Sequence, residues 1–392
     1  MAALTDVIYF DNNATTAVAP EVVEAMLPAL GALYGNASSM HTFGGQMLRY
    51  VDHARGQVAE LLGADPEEII YTACGTEADN AAWHSALETQ PEKRHVITTK
   101  VEHSAVLACG HYYEDKGYEV TWLGVDEQGQ IDLEELNRSI RPDTALVSLM
   151  YANNETGTVF PMEKVAQIVK SHGVQLHVDA VQAVGKLPID LKSLPIDYLA
   201  LSGHKLHAPK GIGVLYLRRG TRFRPFIKGG HQERGRRAGT ENVPYILGLG
   251  KACELAASHM EEERTRVSAM RDRLQAGLLA AIPNCKINGD EAHRLPNTAN
   301  ISFEAVEGEA LLLQMDQYGI CASSGSACTS GSLEPSHVLR AMGVPFNYAH
   351  GSVRFSLCRY NTDAEVDRVL EVMPKIVHNL REISPFAAFL KK

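Results

Sequence analysis

The sequence predicts an α/β protein, with a mainly parallel seven-stranded sheet in a large domain and a smaller α/β domain beside it. Three observations carry this expectation. Between residues 68 and 217, apolar runs of strand length alternate with helical stretches, the texture of a parallel sheet covered by helices on both faces. Near residue 245 the alternation gives way to a long helical run reaching about residue 282. Beyond it the segments are fewer and shorter, and a chain of 392 residues is long enough for two domains.

Taken in order, the chain enters through a short strand at 7–10 and a polar turn, Asp11-Asn12-Asn13-Ala14-Thr15-Thr16. Pro20 opens a helix running to Leu33, since proline at the first helical position gives up no hydrogen bond. Val51, Ala54, Val58, Leu61 and Leu62 share one face of a second helix. The strands of the sheet are expected at 68–72, 95–99, 119–124, 144–150, 174–178, 197–201 and 211–217. A helix at 161–172 is bracketed by Pro161 at its start and Gly173 past its end. The long helical run is interrupted by the charged stretch 261–266, and the remainder supplies strands near 298–303 and 352–357 and helices near 307–317 and 362–381. The domains are expected at 15–255 for the large one, and at 1–14 with 256–392 for the small one, which carries a mobile loop at about 321–333.

Composition narrows the function classes. Hydrophobic residues at 45% and charged residues at 21% describe an ordinary globular chain, and a net charge of −10 argues against a nucleic acid as the main partner. One basic cluster, Arg234, Arg236 and Arg237, needs its own explanation. The N-terminal stretch has no basic and apolar leader and no run approaches membrane-span length, so a cytoplasmic location is expected, with no membrane partner. Seven cysteines at irregular spacings, without a C-x-x-C pair, favour neither a disulfide framework nor a metal site.

Ligands of open parallel sheets bind at the carboxyl ends of the strands, so the polar residues there are the candidates. Lys205 stands on a Ser-Gly-His-Lys turn between two apolar strands; it is either a solvated loop lysine or an amine held in a site, able to bond an aldehyde. Gly75 and Thr76 open a helix, where Thr76 is a simple cap or part of a phosphate cradle built from free backbone amides. His103 and the Asn153-Asn154-Glu155 loop follow two further strands. Asp179 ends an apolar strand, and its carboxylate caps a helix at 180–185 or meets a cationic ring nitrogen. Together these are the parts that pyridoxal phosphate requires: an amine for the aldehyde, a carboxylate for the pyridine nitrogen and a helix start for the phosphate. Farther on, Cys328 lies among small residues in Ser323–Ser332, an exposed nucleophile or an incidental thiol, and Arg354 offers a fork for a carboxylate or is a surface arginine.

Four stretches carry a specific resemblance: SGHKLHAPKG at 202–211, HVDAVQAVGK at 177–186, GGHQERGRRAGTEN at 229–242 and SSGSACTSGSLEPSHVL at 323–339. The chain resembles, almost end to end, the cysteine desulfurases, pyridoxal phosphate enzymes of fold type I in the class-V aminotransferase group, and most closely their nitrogen-fixation, NifS-type branch. The resemblance implies that Lys205 bonds the cofactor and moves the substrate's α-proton, that Asp179 partners the pyridine nitrogen, and that His103 stacks on the ring. It places Gln182 and Asn154 near the phenolic oxygen, and Gly75, Thr76, Ser202 and His204 around the phosphate. Thr240 reaches the phosphate of a neighbouring subunit, giving the arginine-rich segment a place at a homodimer interface. Arg354 holds the substrate carboxylate, with Asn154 and Asn13 on the substrate side. The implied reaction takes L-cysteine to L-alanine and leaves a persulfide on Cys328, which an iron-sulfur scaffold protein accepts, in this branch for nitrogenase. The alternatives are a housekeeping desulfurase serving iron-sulfur clusters or tRNA thiolation, and a selenocysteine lyase, whose Arg-x-Gly-His-His-Cys context differs from Gly-Ser-Ala-Cys here.

Overall fold

The computed structural model describes residues 7–324 and 335–385. Strands β1 (Ile8–Tyr9), β2 (Ile69–Thr72), β3 (His95–Thr99), β4 (Glu119–Leu123), β5 (Thr144–Met150), β6 (Gln175–Asp179), β7 (Tyr198–Ser202) and β8 (Gly213–Leu217) precede the long helical run. Strands β9 (Cys285–Asn288), β10 (Thr298–Phe303), β11 (Ile320–Cys321) and β12 (Ser352–Ser356) follow it. The main sheet has the order β2-β8-β7-β6-β5-β3-β4. Strand β8 runs antiparallel to both neighbours, and the other pairs are parallel.

The side-chain period of two sorts this sheet between two apolar clusters. Ile70, Val96, Leu146, Ala200 and Leu215 enter one, together with Ala78, Ala82 and Trp83 of the helix Gly75–Glu88. Tyr71, Ile97, Val147, Leu199, Leu201 and Val214 enter the other, with the helices Met47–Leu62 and Val243–Glu262. Both faces are therefore covered, which is why the inner strands are buried along nearly their whole length, while the edge strand β4 is only partly buried. A third cluster, built on Phe10, Leu274, Phe303, Leu311, Phe355, Val369 and Met373, surrounds the three-stranded antiparallel sheet β12-β10-β9. Val338, Leu339, Met342, Val344 and Ala349 pack instead with the second of the large clusters.

Several boundaries differ from expectation, for identifiable reasons. The helix from Pro20 stops at Leu30, because Pro28 within it lacks an N–H and Gly31 follows. Strand β8 starts at Gly213, since Gly211 has φ +92°, which a strand does not accommodate. The charged stretch at 261–266 does not break the long helix: a π-helical turn, Glu263–Val267, joins Val243–Glu262 to Ser268–Ala281 and buries Glu263 and Val267. Residues 180–185 form turns rather than the expected helix. Strand β1 lies within the strand expected at 7–10, whereas β11, its partner, and β9 were too short or too polar to stand out. Cys321 and Ser323, expected at the start of a loop, are paired with Tyr9 and Arg354. No helix among the described residues is long and apolar enough to cross a membrane.

The arginine-rich segment is tied down by a buried ion pair. Arg55 donates from both terminal nitrogens to the Glu233 carboxylate at 2.8 and 2.7 Å, and the Tyr71 N–H donates to the same carboxylate at 3.1 Å. Removing one partner of a buried pair strands the other charge, so Glu233→Ala is expected to cost about 3–5 kcal/mol in urea unfolding. An unchanged midpoint would mean that this pair does not hold the segment.

Candidate active site

A cavity of about 280 Å³ opens at the carboxyl edge of the main sheet. Asn13, Gly75, Thr76, His103, Asn154, Asp179, Gln182, Ser202, His204, Lys205 and Arg354 all line it. The topology explains the gathering: parallel strands end at one edge, so the chain leaving β2, β3, β5, β6 and β7 delivers its polar residues to one place. Strands β6 and β7 each run one residue farther than expected, which makes Asp179 and Ser202 their last residues.

Lys205 closes a single 3-10 turn, Gly203–Lys205, and its ammonium donates to the Asn13 and Ala14 carbonyls at 2.6 and 2.8 Å. Asp179 is buried and caps no helix; its Oδ1 accepts the Val181 N–H at 2.9 Å within a turn. Burial pushes its carboxyl above the ordinary range, while His103, the Val181 N–H and Lys205 pull the other way. The cap of the helix Gly75–Glu88 is Cys74, whose Sγ accepts the Glu77 N–H at 3.4 Å, so Thr76 sits within the first turn. Amides there have no carbonyl one turn earlier to bond, which leaves those of Gly75 and Thr76 at the cavity wall. A Cβ at Gly75 would lie 2.7 Å from Val181 Cγ2, too close for any larger residue.

His103 caps the helix Ser104–Asp115 by accepting the Ala105 N–H at Nδ1, 3.2 Å away, which places the ring proton on Nε2. His204 meets Thr15 Oγ1 through Nδ1 at 3.1 Å, and burial, with Lys205 and Lys210 nearby, pulls it down to about 4. Arg354 is 3% exposed; Nη2 donates to Asp11 at 2.7 Å and Nη1 to the Asn154 carbonyl at 3.0 Å, while Nε meets no acceptor among the described residues. Asn13 links the two halves of the site, donating to Thr298 Oγ1 and accepting from Asn297 on the small sheet's side.

Two expected residues are not in this cavity. Thr240 is exposed and lines a neighbouring cleft with Tyr71, Thr72, Ala73 and Gly211. Cys328 lies outside the described residues; on either side of its segment, described residues bond to Arg354, which lines the cavity, and to Glu155 and Glu102. Ser323 exchanges backbone hydrogen bonds with Arg354. On the other side, Ser336 donates to buried Glu155 and His337 Nε2 lies 3.0 Å from the Glu102 carbonyl oxygen.

Sequence reasoning missed a buried polar layer under Asp179. His177 shares its face of β6, and Ser148 Oγ lies 2.8 Å from His177 Nδ1 and accepts from Trp83 Nε1 at 2.9 Å. Because the indole only donates, the Ser148 proton is left for His177 Nδ1, and Nε2 carries the hydrogen toward Asp79 Oδ1, 3.3 Å away though out of line for a full hydrogen bond. Burial holds His177 down at about 3 and pushes Asp79 well up, with Asp179 and Glu102 adding to the effect. The alternation of His177 with Asp179 was the available signal; Asp79 and Trp83 gave none, being ordinary helix positions in sequence.

With this geometry in hand, the chain can be compared with known proteins. The family model described as aminotransferase class-V matches residues 8–369. The chain belongs to this family, as a NifS-type cysteine desulfurase. It is 64% identical over 380 residues to "Cysteine desulfurase" of Trichormus azollae, covering 97% of this chain and 95% of the relative. It is 58% identical over 380 residues to "Cysteine desulfurase NifS" of Azotobacter vinelandii, covering 97% and 94%. Among solved structures, "NIFS-LIKE PROTEIN" superposes with a TM-score of 0.90 at 42% identity, covering 96% of this chain and all of that one. "SspA in complex with cysteine" superposes with 0.80 at 35%, covering 91% of this chain and all of that one.

Glu102 gives the desulfurase a pH signature. Its Oε1 accepts from Thr99 Oγ1 and the Met150 N–H at 2.8 and 3.0 Å, Oε2 is buried without a partner, and burial pushes the carboxyl up to about 8. A raised acid contributes stability that is complete below its unfolded value and is lost as pH rises through the folded one, here from 4.5 to about 8. In Glu102→Gln the fall in unfolding free energy across that window should be shallower by about 1.4 kcal/mol per pH unit. Parallel curves from urea titrations would show that Glu102 is ionised at neutral pH.

Proposed function

We propose that the cavity holds pyridoxal phosphate and that the enzyme converts L-cysteine to L-alanine while storing the sulfur as a persulfide on Cys328. The observation that carries this is the trio of buried carboxyl groups Asp79, Glu102 and Asp179, all pushed upward by burial, with Asp179 lining a cavity that Lys205 also lines. A protonated pyridine nitrogen is the cation such a floor accommodates, and an aldehyde is what the amine takes. The Gly75–Thr76 amides, Ser202 and His204 suit the phosphate, joined by the partner subunit's equivalent of exposed Thr240. The bound cofactor supplies an electron sink for a substrate carbanion.

The chain's own residues do the rest. Arg354 and Asn154 orient the substrate carboxylate, with Asn13 beside them, and His103 covers the ring. The Lys205 amine, once freed, carries the α-proton. The Cys328 thiolate attacks the substrate sulfur: a sulfur–sulfur bond forms as the Cβ–S bond breaks, and the electron pair left on carbon takes a proton on the way to L-alanine. Ser323 and Ser336, the described residues on either side of the Cys328 segment, bond to Arg354 and Glu155. A large domain at 15–255 and a small one at 1–14 and 256–392 put the cofactor and the sulfur-bearing cysteine on different bodies. Exposed Leu27, Leu30, Tyr34, Met40 and Phe43 support a homodimer. The persulfide then passes to an iron-sulfur scaffold protein, and the NifS relative at 58% identity favours nitrogenase maturation over a housekeeping role.

Cys328→Ala should bind cofactor normally but lose at least about a thousandfold in sulfide release from L-cysteine, and the wild-type Cys328 peptide should gain one sulfur atom by mass after incubation with L-cysteine. Full desulfuration by Cys328→Ala would refute the assignment. Lys205→Ala should abolish the visible band that borohydride reduction removes in the wild type; a persisting lysine-bound chromophore would assign the bond to another lysine.

A further inference from the structure

Behind Gln182 lies a lysine with no part in the reaction described so far. Lys186 is 7% exposed, and its ammonium donates to the Gln182 side-chain oxygen at 3.0 Å and the Gln182 backbone oxygen at 3.2 Å. The turn that makes this reach possible contains Gly185 at φ +78°, where a Cβ would stand 2.6 Å from Leu206 Cδ2. On its other side the Gln182 amide nitrogen donates to the Asn13 carbonyl at 2.9 Å, the same carbonyl that accepts from Lys205.

We infer that Lys186 is a positioning residue that fixes the Gln182 amide with its N–H₂ group toward the cavity. An ammonium only donates and a backbone carbonyl only accepts, so the two neighbours admit one orientation. The flipped amide would set N–H₂ against the ammonium and oxygen against the Asn13 carbonyl, losing two buried hydrogen bonds and creating two repulsions. One amide hydrogen serves Asn13, and the second remains for an acceptor in the cavity. Resting on the reading proposed above, that acceptor is the cofactor's phenolic oxygen. Glu263 of the π-helical turn faces the lysine as its nearby anion without bonding it directly; its Oε1 accepts the Arg359 N–H at 3.1 Å and its Oε2 is buried without a hydrogen-bond partner among the described residues. Arg354 and Cys358 also face Lys186, and His207, Cys358 and Arg359 line the small pocket around it. Burial pulls the ammonium down to about 8, with Glu263 opposing.

A donor to the phenolic oxygen lowers its basicity, so the lysine-bound nitrogen beside it loses its proton at lower pH. The test is the pH midpoint of the bound cofactor's visible absorbance in holoenzyme carrying Lys186→Met, Gln182→Leu or both. Because Lys186→Met leaves buried Glu263 with only Arg359 as a nearby cation, Lys186→Met/Glu263→Gln is measured alongside to keep a folded variant in hand. The inference expects Lys186→Met, alone or with Glu263→Gln, to raise the midpoint by about half a pH unit or more, and to add nothing in the Gln182→Leu background. A midpoint that Lys186→Met leaves in place, or an equal shift without Gln182, overturns the inference while leaving the cofactor reading intact. A wild-type enzyme with no lysine-bound band overturns both.

Discussion

Everything in this site turns on a carboxylate at the end of a buried strand. Asp179 is the last residue of β6, covered on both faces of the sheet, and a carboxyl group without water around it costs several kcal/mol to ionise unless a cation stands opposite. Beneath it, Asp79 and Glu102 add two more buried carboxyls, so the floor of the cavity resists holding further negative charge without a counter-ion. His177, kept neutral by burial, provides an aligned dipole rather than a charge, held from behind by Ser148 and Trp83. The fold supplies this environment at no extra cost, because both faces of a parallel sheet must be covered anyway.

The second organising group is the Asn12–Asn13–Ala14 turn near the start of the chain. Its carbonyls hold Lys205, its Asn13 carbonyl also fixes Gln182, and its side chains reach Thr298 and Ser356 on the small sheet. The cavity is thus closed by residues far apart in sequence, and Arg354, from the small sheet, completes it through Asp11 and the Asn154 carbonyl. A shift of the small sheet would move Arg354 and Asn13 together while leaving Asp179 and the helix start at Gly75 in place.

Most of this was legible in the sequence. The seven strands of the main sheet lay within two residues of their expected positions because each is a short run rich in apolar and β-branched residues, and the candidates at their carboxyl ends converge because parallel strands share an edge. That Thr76 would not cap its helix was not legible, since a cysteine sulfur does the capping, and neither was the π-helical turn, where a charged stretch hides two buried residues. The layer under Asp179 was invisible for a different reason: Asp79 and Trp83 come from one helix and Ser148 from β5, and only the packing of that helix on one face of the sheet brings them to His177. Lys186 stood in plain view inside the motif 177–186, but its task depends on a turn that was expected to be a helix.

The most direct test of this account is titration of pyridoxal phosphate into the cofactor-free protein and its Asp179→Ala variant, followed by calorimetry and thermal unfolding. If the buried carboxylate governs the site, the wild type binds with a rise in its unfolding midpoint, and Asp179→Ala, itself no less stable without cofactor, binds at least about tenfold more weakly with a correspondingly smaller rise. Equal affinity in the two proteins would contradict the central role of Asp179.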